Sequence, residues 1–200
     1  MTVSARAGRI DFPKPPVWRG GSAGFTLAEI MVAVIIIGII TAMFLPQYVK
    51  TVENSRANDA VSVLQMVGTS NRILGVDSGG FYADAKVPGG TAVAISEGTC
   101  NGAACGTNPA QPPSTNARAQ CDLIACGYLA KQTWSTKSYN FMAMNGAASQ
   151  TDYCGLSAPA GLYVACCKRN GGSTPYSTWG YTIDVNGNVT AYGNAPPAPS

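Results

Sequence analysis

Residues 25–45 read FTLAEIMVAVIIIGIITAMFL, twenty-one positions with a single charge, Glu29. At about 1.5 Å per residue a helix of this length spans about 31 Å, close to the hydrocarbon thickness of a bilayer. A helix that is apolar nearly all round is stable only in lipid or among other helices. The chain is therefore expected to be a domain carried on an anchor. The same segment does not suit a cleaved secretory signal, whose apolar stretch runs about 7–15 residues and precedes a small-residue cleavage site. Here the run is longer, and the small residues Gly20-Gly21-Ser22-Ala23-Gly24 come before it.

Residues 1–24 hold Arg6, Arg9, Lys14 and Arg19 against Asp11, and include Pro13, Pro15 and Pro16. Nothing in them has helical or strand periodicity, and they read as a leader. The whole chain has 13 basic and 10 acidic side chains, so residues 25–200 hold nine of each. The net charge of +3 thus belongs to the leader, which by the positive-inside rule keeps the N-terminus in the cytoplasm. The neutral remainder lacks the general electrostatic footprint of a nucleic-acid binder. No histidine occurs, which removes Ser-His-Asp and Cys-His catalysis and every zinc site built on imidazole.

Glu29 needs an explanation. A carboxylate at the centre of a membrane helix costs about 2.5–3.5 kcal/mol and less near its end, and a plain anchor gains nothing from it. A cut after Gly24 would leave Phe25 with a free ammonium that neutralises Glu29 on the same or a neighbouring chain. Gly24-Phe25-Thr26-Leu27-Ala28-Glu29-Ile30 resembles the cleavage and methylation motif of type IV prepilins and related pseudopilins. Ala28 stands where that family often has Ile or Val. The resemblance, over roughly residues 20–75, implies that a prepilin peptidase removes residues 1–24, cutting after Gly24 and N-methylating Phe25. It makes Glu29, paired with the Phe25 amine, the assembly carboxylate. It also implies a single pass through the inner membrane with the C-terminal domain outside the cytoplasm. Self-association into a helical filament would follow, with the pilus or secretion assembly machinery and membrane lipid as the other partners. The destination is an extracellular pilus or a periplasmic pseudopilus. No cofactor, no metal and no enzymatic activity are implied.

Beyond the apolar block, Pro46 removes a backbone donor and Gly38 weakens the helix before it. Helical spacing nevertheless resumes. Ala57, Ala60, Val61, Leu64 and Val67 form an apolar stripe, with Arg56, Asn58, Asp59, Ser62 and Gln65 between them. Residues 46–76 are expected to be an amphipathic helix, ending near Gly75. The family resemblance implies one long helix with a kink or flexible stretch between Gly38 and Pro46.

Residues 77–200 change in composition. Asp77-Ser78-Gly79-Gly80 and Val87-Pro88-Gly89-Gly90 read as loops, and residues 98–120 as an irregular loop tied down by cysteines. Residues 122–129 suggest a short helix or turn. Strands are expected over 137–144, 161–168, 181–185 and 188–192, the last two joined by the Asn186-Gly187 hairpin signal. The Pro/Ala-rich end, residues 194–200, reads as frayed. The fold class is α+β: a long N-terminal helix, apolar then amphipathic, packed against a small antiparallel β-sheet with disulfide-tied loops.

The seven cysteines are Cys100, Cys105, Cys121, Cys126, Cys154, Cys166 and Cys167. Cys100/Cys105 and Cys121/Cys126 share one spacing, which fits either a four-thiolate metal site or disulfides. Disulfides are favoured because the anchor exports this half to an oxidising space. Cys154 with Cys166 or Cys167 makes a third candidate bridge, and the vicinal pair can hold the leftover thiol. Spacing leaves the pairing open. Tyr128, Trp134, Tyr139, Tyr153, Tyr163, Tyr176 and Trp179 fit core packing better than a binding face, and Asp77, Asp84 and Asp152 lack EF-hand spacing.

The leading reading is a structural filament subunit, a major or minor pilin. The alternatives are a pseudopilin of a type II secretion or DNA-uptake system, a minor tip pilin acting in adhesion, and an anchored thiol oxidoreductase. The last lacks the C-x-x-C motif such enzymes favour.

Overall fold

The computed structural model describes residues 24–86, 91–100, 105, 118–146, 153–155 and 161–198. Helix α1 covers Leu27–Asp77, 51 residues with Pro46 inside it. The chain divides into two compact units at Leu45/Pro46. In the first unit every described residue is exposed.

In the second unit α1 folds as its stripe dictates: Ala57, Ala60, Val61, Leu64 and Val67 are buried, and Asn58, Asp59, Ser62 and Gln65 are exposed. After α1 come strand β1 (Ala83–Asp84), helix α2 (Glu97–Cys100), strand β2 (Arg118–Ala119) and helix α3 (Asp122–Ala125). Strands β3 (Tyr139–Ala143), β4 (Tyr163–Arg169), β5 (Gly180–Asp184) and β6 (Val189–Tyr192) follow, with a short 3-10 turn at Tyr176–Thr178. β3 to β6 form one antiparallel sheet in sequence order. Each strand pairs with the next strand in sequence, the arrangement that consecutive elements favour.

Strand alternation sorts the sheet's two faces. Phe141, Cys167 and Tyr181 lie side by side across three strands and belong to one cluster with α1 residues Val61, Leu64 and Val67. The neighbouring row contains Met142, Cys166 and Thr182. There Cys166 joins a second cluster with Ala85, Met144, Tyr153, Cys154 and Tyr163. The helix approaches the sheet closely at Gly68, where a Cβ would lie 2.6 Å from Ile183 Cγ2.

Two features depart from expectation. The stretch 98–120 was expected to be wholly irregular. Where it is described it contains the end of α2, and β2, which pairs in parallel with β1. That pairing joins positions about 35 residues apart, a separation no local pattern signals. The end of the chain is not frayed through residue 198. The Tyr181 hydroxyl donates to the Pro196 carbonyl at 3.0 Å, and Ala195 and Ala198 pack against the core. Apolar burial and one side-chain bond outweigh the entropy of a Pro/Ala-rich end, whose backbone is already stiff. Helix α1 itself ends at Asp77, close to Gly75.

Candidate functional site

Gly24, Phe25 and Thr26 precede the first turn of α1 as exposed, non-helical chain, with Phe25 84% exposed. The peptide bond between Gly24 and Phe25 therefore lies outside any helix. Among the described residues a Cβ at Gly24 would meet nothing within 4 Å.

Thr26 and Glu29 form a reciprocal cap. The Thr26 backbone N–H and hydroxyl both donate to Glu29 Oε2, at 2.8 and 2.9 Å, and the Glu29 N–H donates to Thr26 Oγ1 at 3.2 Å. This is the capping box, a Thr and a Glu three residues apart that satisfy each other's helix-end donors. The sequence reading found a partner for Glu29 only in the Phe25 amine and missed Thr26, though the T-x-x-E spacing was there to be read. In the uncut chain the Phe25 nitrogen is a neutral peptide nitrogen, and Thr26 alone satisfies the carboxylate. Oε1 has no partner among the described residues. A new ammonium at Phe25 would thus find one carboxylate oxygen unspent. The Glu29 carboxylate and the helix start are one local structure.

Further along, α1 runs through Gly38 and Pro46. Pro46 has no N–H to give the Ala42 carbonyl, and the Thr41 hydroxyl bonds the Ile37 carbonyl at 2.7 Å. Exposed residues here include Ile35, Ile37, Met43, Phe44 and Leu45, each half or more exposed in the single chain.

The second unit holds the cysteines. Cys100 bonds Cys121 and Cys105 bonds Cys126, so the two evenly spaced pairs cross-link to each other, each over 21 residues. Cys154 bonds Cys166. Cys167 is a free thiol, fully buried on the opposite face of β4, and burial pushes its pKa up to about 12. A thiol so protonated and inaccessible is inert.

Two polar anchors were not foreseen. Asn71, fully buried on α1, accepts the Ala83 N–H at 2.7 Å and donates to the carbonyls of Ala83, Met144 and Val164 at 3.2, 3.0 and 2.8 Å. Glu53, near the start of the second unit, pairs with Arg169 at the end of β4. The aromatic residues are mostly packing: Trp134, Tyr139, Tyr153, Tyr163 and Trp179 are buried, and Tyr128 and Tyr176 partly so. Asp77 accepts the Tyr128 hydroxyl, whereas Asp84 accepts the Tyr153 hydroxyl and the Asn145 amide, so the two carboxylates are not gathered at one site. Asp152 lies outside the described residues.

Residues 19–45 match the family model described as Prokaryotic N-terminal methylation motif. It is the signature of type IV prepilins and pseudopilins, and it implies processing by a prepilin peptidase. The match ends at Leu45, where the two compact units divide. Comparison with curated proteins and with solved structures finds no match.

Proposed function

We propose that this prepilin-type chain is the precursor of a structural subunit of a type IV pilus-like filament, and that it is not an enzyme. Residues 1–24 are its leader, 25–45 its membrane and filament-core helix, 46–76 the stem of the globular domain, and 77–200 the rest of that domain. The observation that carries the reading is the first unit itself. Its helix is apolar, exposed throughout, and begins at the methylation motif. Lipid covers such a surface before assembly, and neighbouring copies cover it afterwards. Glu29 then sets register, because a buried charge left unpaired is penalised. Identical subunits related by a rotation that does not close build a helical fibre. Stretching of the fibre would draw on the helix between Gly38 and Pro46, where hydrogen bonding is already incomplete.

An intact mass of the chain from its native cells tests this. Loss of residues 1–24 with one added methyl group, in material sheared from the cell surface as filaments, is the expected result. The same mass in a chain that stays in the envelope favours the pseudopilin role. A mature chain that retains its leader overturns both.

A further inference from the structure

Above Pro46 the outward side of α1 has no cover in the single chain. Ser62, Met66, Thr69, Ile73 and Val76 are exposed, Val76 at 80%. Two charges edge this stripe on opposite flanks. At about 100° per residue, Asp59 lies about 80° from Thr69 in one sense and Arg72 about 60° in the other.

Both charges are unspent. The Asp59 carboxylate has no hydrogen bond or ion pair to any described residue. Arg72 has no carboxylate in ion-pair reach among the described residues. It makes two long bonds of 3.4 Å, from Nη1 to the Val185 carbonyl and from Nη2 to Thr69 Oγ1, and its buried Nε has no acceptor. It lines an open groove of about 350 Å³ with Thr69, Ile73, Val76 and Asp77. The other charges of this part of α1 are accounted for. Glu53 and Arg56 pair with each other, Glu53 also takes Arg169, and Asp77 takes the Tyr128 hydroxyl. Lys50 lies about two and a half turns nearer the N-terminus than Asp59.

We infer that this face of α1 packs on a second copy of the same chain, with Arg72 of one copy meeting Asp59 of the next. The inference rests on the filament reading and names its contact. Copies that share one leader and one anchor stand parallel in the membrane. Parallel neighbours related by a rotation present opposite flanks to each other, so their contact is head-to-tail. A basic flank and an acidic flank on one helix are then self-complementary, and Met66, Ile73 and Val76 between them are buried as they close. Thirteen residues separate the two charges, so the neighbour is displaced along the helix axis by about 20 Å. Like charges brought together at such a contact repel, which makes the pairing selective for this register.

Charge exchange tests it in cells that assemble the full-length chain. Asp59→Arg and Arg72→Asp should each lower the yield of sheared filaments at least about tenfold, and the double exchange should restore it to within about threefold. Accumulation of processed subunit with its disulfides intact checks folding. In parallel, Asp59→Cys and Arg72→Cys chains are co-expressed and treated with a short bismaleimide. A cross-linked dimer of one variant with the other is expected. Absence of wild-type filaments would sink the filament reading itself. Wild-type filaments with undiminished yield from both single exchanges, no recovery in the double exchange, or no mixed dimer would overturn the Asp59–Arg72 contact alone.

Discussion

Arg169 closes on Glu53 as a fork: Nε reaches Oε2 at 3.0 Å and Nη2 reaches Oε1 at 3.2 Å. The pair ties the end of β4 to α1 across 116 residues of chain. Nη1 of the same guanidinium donates to the Ser138 and Asn170 carbonyls at 2.7 Å each, and Arg56 adds a second contact to Glu53 at 2.5 Å. The two side chains are 8% and 9% exposed, so little water competes. A planar donor fork matched to a carboxylate is the geometry that lysine cannot supply.

Removing one partner leaves the other buried and unpaired. Glu53→Gln should destabilise the mature chain by about 3 kcal/mol, measured by denaturant unfolding in detergent. The Arg169 hydrogen bond, opposed by burial and helped by Arg56, holds the Glu53 pKa below its ordinary 4.5. The folded form thus binds a proton less readily than the unfolded form. Its stabilisation is present in full above 4.5 and is lost as pH falls through the lower folded value. The gap between wild type and Glu53→Gln should narrow over that acid range. A gap that does not change with pH would contradict the pairing.

Asn71 should be equally intolerant. Asn71→Leu strands the Ala83 N–H and removes a donor from three carbonyls at once. A loss of at least about 3 kcal/mol is expected in thermal or denaturant unfolding, since each buried unsatisfied group costs about 1–3 kcal/mol. A change within 1 kcal/mol or so would mean that water replaces the amide.

Gly68 marks a close approach of helix and sheet. Gly68→Ala places a methyl 2.6 Å from Ile183 Cγ2 and should cost about 1–3 kcal/mol by overpacking, although alanine is the better helix former. Combining it with Ile183→Ala should cost less than the sum of the two single changes, because the same space is vacated. Strict additivity in unfolding measurements would place the contact elsewhere.

Thiol counting reads the cysteine framework directly. Native chain should take up no alkylating label, because Cys167 is buried and its thiol stays protonated. Denatured but unreduced chain should take one label, and reduced chain seven, as three bridges and one free thiol require. Peptide mapping should recover Cys100 with Cys121 and Cys105 with Cys126. Two labels without reduction would break the assignment.

Much of this protein is legible residue by residue. The apolar run of 25–45, the stripe from Ala57 to Val67, the four strands and the Asn186-Gly187 turn are set by solvation and short-range geometry, so pattern alone locates them. The capping box of Thr26 and Glu29 is equally local. Its T-x-x-E spacing marks it without any long-range contact. Alternation in β4 also explains why Cys166 and not Cys167 bonds Cys154: adjacent strand residues face opposite sides, and only Cys166 shares Cys154's side. Tertiary structure alone decided the rest. Four cysteines at equal spacing are interchangeable until a fold sets Cys100 beside Cys121 and Cys105 beside Cys126. Asn71 is one more polar residue on a helix until Ala83, Met144 and Val164 converge on it. Glu53 and Arg169 become partners only when the sheet docks. Periodicity is written in neighbouring residues, whereas convergence of distant groups is a property of packing, which no single stretch of chain encodes.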